Sequence, residues 1–158
     1  MKTQFTEKQK FTQWWLWLIL ISIGIIPIIG IYKQIILGKP FGDNPMSNVG
    51  LIVFTVVIFA FIIFFRIIQL RTKIDEQNIN IKFYPLINKT IKWSEVKSAN
   101  IVNYGFVGGW GIRLWTNYGT VYNIKGNMGL ALELKNGKKL LIGSQKIDDL
   151  KSYINSIN

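Results

Sequence analysis

The chain has 158 residues, a formal net charge of +11, and neither Cys nor His. That inventory excludes disulfides, thiolate metal sites and Ser-His-Asp or Cys-His catalysis, and it removes the commonest general base and pH switch. Basic residues are spread along the chain, and a bilayer already accounts for a positive balance, so nucleic acid is not an expected partner.

Residues 1–13, MKTQFTEKQKFTQ, read as a polar flank in which Lys2, Lys8 and Lys10 outweigh Glu7. Two apolar runs free of Asp, Glu, Lys and Arg follow, Trp14 to Tyr32 and Val49 to Phe65. At about 1.5 Å of rise per residue they are roughly 28 Å and 25 Å long. The hydrocarbon core of a bilayer is about 30 Å thick, so each is close to a span. The second lengthens to residue 68 if Arg66 snorkels its guanidinium to the headgroups. Backbone groups in hydrocarbon must pair within their own segment, which makes both runs helices. Trp14, Trp15 and Trp17 mark the start of the first, where indole rings favour the headgroup level. No small-residue cleavage site follows that run, which argues against a cleaved signal peptide.

The expected organisation is a transmembrane hairpin over residues 14–68, with helices at about 14–32 and 49–68. Pro27 predicts a kink in the first helix, and Ser22 and Gly24 offer a place for close helix approach. The connector 33–48 carries Gly38, Pro40, Gly42 and Pro45, which force turns, and Ser47 or Asn48 is placed to cap the second helix. The flanks carry Lys2, Lys8 and Lys10 on one side and Arg66, Arg71 and Lys73 on the other, against Lys33 and Lys39 in the connector. The positive-inside rule then puts both termini in the cytoplasm, with Arg66, Arg71 and Lys73 at the membrane surface.

From about Leu70 apolar and polar residues alternate, the period of half-buried strands. A β domain with a C-terminal helix is predicted over residues 69–158, with about seven short antiparallel strands, among them NINIKF, KTIKW, KSANIVNY and IRLWT. Asn136-Gly137 between alternating segments predicts a hairpin. The chain closes with an amphipathic helix: Asp148 and Asp149 sit in its early turns, and Ile147, Leu150, Ile154 and Ile157 form one stripe.

The best candidate site is the stretch YGFVGGWGIR, with Gly108, Gly109, Trp110, Gly111 and Arg113. Its glycines allow a tight turn or close backbone approach, and Arg113 suits a phosphate or a carboxylate. It is not a P-loop, because no Gly-Lys-Ser/Thr follows. The simpler alternative is a wide turn whose Trp110 folds onto the domain. No carboxylate pair has a spacing that calls for acid–base work, so no enzyme, metal or cofactor is expected.

Seven strands closed by a C-terminal helix resemble the pleckstrin-homology-like (PH-like) architecture. The hairpin followed by such a domain resembles small bacterial membrane proteins with a bacterial PH domain. Trp93-Ser94-Glu95-Val96, Gly108 to Arg113 and Ile142-Gly143-Ser144-Gln145 carry the local likeness. The resemblance implies a fold and a multi-pass place in a bacterial inner membrane, where the Lys and Arg balance puts the β domain on the cytoplasmic side; it implies no activity. Two functions are expected in competition. One is a non-enzymatic, membrane-anchored binding or scaffolding module whose partners are the bilayer and a protein or a copy of itself. The other is a structural subunit of an envelope-stress or peptide-resistance complex that assembles through its hairpin.

Overall fold

The computed structural model describes residues 4–157. The chain divides into two compact units, Phe11–Ile67 and a β unit that joins the N-terminal strand to everything from Ile68 onward.

The first unit is a helix pair. Helix α1 (Trp14–Ile31) runs on through a wider π turn, Tyr32–Ile36, and α2 covers Asn48–Ile67. Both are long and apolar enough to cross a membrane. Their apolar side chains lie mostly on the outside, Ile25, Val53 and Phe61 among them. The buried positions of α1 are Leu20, Gly24, Pro27 and Gly30, spaced to form one face. A Cβ on Gly24 would stand 3.0 Å from Ile62 Cδ1, so the missing side chain is what lets α2 approach. Ser47 caps α2 as expected, its Oγ accepting the Gly50 N–H at 3.1 Å. The Trp17 indole N–H donates to the Phe11 carbonyl at 2.8 Å, which ties the start of α1 to the preceding turn.

The β unit contains nine strands among the described residues rather than about seven. The first sheet has the order β1 (Phe5–Lys10), β2 (Gln69–Ile74), β3 (Asn78–Tyr84), β4 (Ile87–Lys92), all antiparallel. Residues 5–10, read from sequence as part of a polar flank, are therefore an edge strand. They pair with β2 across the whole helix pair, Phe5 opposite Ile74 and Lys10 opposite Gln69. Period-2 alternation drives this sheet. Phe5, Ile74, Ile79 and Ile91 lie in one cross-strand row, and all are buried. The next rows are Glu7–Thr72–Ile81 and Gln9–Leu70–Phe83, also buried.

Three of these inward residues are polar: Thr72 Oγ1 is buried without a hydrogen-bond partner, and the two on β1 each have a defined use. Glu7 accepts hydrogen bonds from Ser144 Oγ (2.6 Å) and the Gln145 backbone N–H (2.8 Å). Gln9 Nε2 donates to the Gly143 carbonyl at 2.7 Å. The N-terminal strand thus holds the segment leading into the last helix, α3 (Ile147–Ile157). That helix buries Leu150, Tyr153 and Ile154, and packs on β1.

The second sheet has the order β5–β8–β9–β7–β6: β5 is Val96–Asn103, β6 Gly111–Thr116, β7 Gly119–Asn123, β8 Met128–Leu134 and β9 Lys139–Gly143. One neighbouring pair, β7 with β9, is parallel. The Asn136-Gly137 hairpin joins β8 to β9 as predicted, with Asn136 Oδ1 accepting the Lys138 N–H at 3.0 Å. This sheet is apolar on both faces. Leu130, Leu140 and Ile142 lie on one side, and Leu141 and Val121 on the other, all buried.

Candidate functional site

The glycine-tryptophan stretch is the connection between β5 and β6, and it folds across the outer face of the second sheet. Tyr104, Val121 and Leu141 form a buried cluster there, with Val102, Val107, Tyr118 and Ala131 packed against it. The Tyr104 hydroxyl donates to the Gly126 carbonyl at 3.0 Å and accepts from Asn123 Nδ2 at 3.4 Å. Burial pushes the Tyr104 pKa above its ordinary 10.0, opposed by the Asn123 hydrogen bond. Tyr122, on the inner side of β7, is raised by burial alone.

The glycines serve geometry. Gly108, Gly109 and Gly111 have φ of 81°, 120° and 107°, a region that other residues rarely adopt. The Arg113 guanidinium lies over Gly109, in the space that a Cβ would take. Arg113 faces Val121 across the β6–β7 register, and Asn123 Nδ2 reaches the Gly109 carbonyl at 3.4 Å. Arg113 and Asn123 are therefore brought together around the Gly109 backbone. Arg113 Nε and Asn123 Oδ1 are both buried there without a hydrogen-bond partner.

Trp110 is only 38% exposed. The most exposed aromatic residues flank it in sequence, and sequence reading missed them. Phe106 is 84% exposed and Trp115 95%. The register of β6 against β7 shifts between Arg113 and Thr116, so Leu114 and Trp115 bulge out of the ladder. Trp115 has φ of 56°, a left-handed conformation costly for a bulky side chain. Phe106, Leu114, Trp115, Tyr104 and Tyr118 line an open cleft of about 360 Å³. The alternation of IRLWT hid this bulge. The available signal was two large apolar residues next to each other at the end of a short strand.

The other expected site residues are not among those that line this cleft. Arg71 and Lys73 project from the outer face of β2, and Arg66 belongs to the last turn of α2. Trp14 and Trp15 are exposed at the start of α1. No group of three or more His, Cys, Asp or Glu side chains that could hold a metal occurs among the described residues. No family model matches the chain, and no curated protein matches it.

Proposed function

We propose that this protein is a non-enzymatic, membrane-anchored binding module, with the helix pair as its anchor and a PH-like β domain as its working part. The observation that carries this is the outward-facing apolar surface of two span-length helices, next in sequence to a β unit rich in exposed aromatic residues. Successive antiparallel sheets and a closing C-terminal helix support the PH-like reading. The N-terminal strand and the parallel β7–β9 pair are additions to that layout. The cleft bounded by Phe106, Leu114 and Trp115 is the binding site in this reading, because a strained, exposed Trp is kept where a partner covers it. Gly24 is filled by Ile62 of the same chain, which favours a partner at the β domain over assembly through the hairpin. The basic flanks of the hairpin support a position of the β domain at the inner face of a bacterial cytoplasmic membrane.

Because the chain has no Cys, one introduced Cys reports topology without background. Asn136→Cys should react with a membrane-impermeant maleimide only after cells are opened, and a Cys in the connector should react in intact cells. The opposite pattern overturns the orientation. A photoreactive amino acid at Trp115 should give a discrete protein adduct in native membranes, and Trp115→Ser should abolish capture by a probe placed at Phe106. Unchanged capture would remove the cleft from the binding site.

A further inference from the structure

The outer face of the first sheet carries no carboxylate. Alternation puts Thr6, Lys8 and Lys10 of β1 on it, with Arg71 and Lys73 of β2, and Asn80, Lys82 and Tyr84 of β3. The remaining outward positions on β4 are Asn88, Thr90 and Lys92. Lys8 stands directly opposite Arg71, and Arg71 directly opposite Lys82, which makes a row of three cations across three strands. All three are exposed. No carboxylate of the described residues pairs with any of them. Like charges directly opposite one another destabilise a sheet, so this row weakens the fold unless an anion covers it.

A second feature says what the anion belongs to. Lys10 and Gln69 are register partners at one end of the sheet. The chain leaves that end for α1 after three residues, 11–13, and returns to it from α2 after one residue, Ile68. Both helices are therefore tethered to the same edge by links too short to span more than about 10 Å. Tyr84 is opposite Gln69, so the Tyr84-Pro85-Leu86 turn lies at that same end. Tyr84 and Leu86 are exposed, and the Lys82 ammonium sits 5.9 Å from the centre of the Tyr84 ring. An aromatic-aliphatic tip beside a row of cations has the chemistry of a headgroup contact.

We infer that this face docks on anionic lipid headgroups of the membrane that holds the helices. The Lys8–Arg71–Lys82 row meets the phosphates, and Tyr84 and Leu86 enter the interfacial layer. This inference rests on the membrane reading above and is independent of the aromatic cleft.

The test uses the full chain in lipid nanodiscs of phosphatidylcholine, with or without phosphatidylglycerol. A fluorophore on Asn88→Cys reports the outer face, one on Asn136→Cys serves as control, and the discs carry a headgroup quencher. Quenching at position 88 should be about twofold stronger in anionic discs, and the difference should vanish near 1 M salt, where the screening length is about 3 Å. The triple variant Lys8→Gln, Arg71→Gln, Lys82→Gln should lose the difference. Its thermal midpoint in neutral discs should rise, because a row of like charges has been removed. Equal quenching in both lipids by an inserted chain overturns the docking while leaving the anchor intact. Failure to co-float with either disc overturns the membrane reading itself. Displacement of the face from anionic discs by polyglutamate at physiological salt would assign it to an acidic protein instead. A lower midpoint for the triple variant would make the row structural and overturn the inference.

Discussion

The two sheets of the β unit are built from the same alternation and end with opposite outer faces. In the first sheet the outer positions are mostly Lys, Arg, Asn and Thr, and most of them are exposed on the protein's own surface. In the second the outer positions include Val102, Val121, Ala131 and Leu141, and the β5–β6 connection folds over them. The first sheet therefore has one core face and one chemical face. The second has two core faces, and its chemistry has moved to the rim of the covering loop, where Phe106 and Trp115 project. A loop that covers a sheet must be shaped by glycine where it turns, and that accounts for Gly108, Gly109 and Gly111 without assigning them a ligand.

The largest effect that would test this contrast is a truncation on the outer face of each sheet. Leu141 is fully buried, and Leu141→Ala should destabilise the protein by about 3 kcal/mol. Arg71→Ala, in an outward position of the first sheet, should stay within about 0.5 kcal/mol of wild type or gain stability. Thermal or denaturant unfolding in detergent decides the matter, and similar losses at both positions would break the contrast. Next comes Gly143→Ala. A Cβ there would stand 2.8 Å from Asn123 Cβ and 3.0 Å from Tyr104 Oη, so overpacking of the covered face should cost about 2 kcal/mol by the same measurement.

Tyr104→Phe gives a smaller test, about 1 kcal/mol for the lost hydrogen bond to Gly126. It also carries a pH signature. Burial raises the Tyr104 pKa above 10.0 in the folded state, so the folded protein holds this proton more tightly than the unfolded chain does. Its stabilising contribution is complete below the unfolded pKa and is lost as pH rises through the folded one. Tyr122 and Tyr153 are raised in the same direction, chiefly by burial. Stability should therefore fall above pH 10, and Tyr104→Phe should flatten part of that fall. A fall of the same steepness in the variant would remove Tyr104 from the effect. The smallest effect concerns Lys97 and Glu133, 2.7 Å apart at the exposed β5–β8 edge. The hydrogen bond from Lys97 and its charge hold the Glu133 carboxyl below its ordinary 4.5. Carboxyl titration by NMR should show that pKa move up in Lys97→Ala, with little change in the unfolding midpoint.

Much of the layout was legible because it is local. The helices follow from charge-free runs, the β8–β9 hairpin from Asn136-Gly137, and α3 from its apolar stripe. Strand β1 was hidden because two of its inward positions are Glu7 and Gln9, so its alternation reads as polar. The justification for those residues, Ser144, Gln145 and Gly143, lies at the far end of the chain. The bulge at Leu114 and Trp115 was hidden for a different reason. A register shift is a property of two strands, and β6 alone keeps a strand-like sequence. The candidate loop itself was visible from its glycines. Its most exposed aromatics were not, because exposure depends on which face the loop covers.

The pairing of β1 with β2 also gives the helix pair a particular place in the chain's topology. Lys10 and Gln69 are cross-strand partners, so the intervening 58 residues are the loop of a β-hairpin. The closure penalty of a loop grows only slowly with its length, which is how a whole pair of span-length helices can be carried there. The β unit closes its first sheet only after the second helix has been made, so folding of the domain waits on completion of the helix pair. Conversely, a two-residue Asn-Gly turn joining Lys10 to Gln69 would restore an ordinary hairpin. The β unit then becomes a soluble protein whose two faces can be studied without a bilayer.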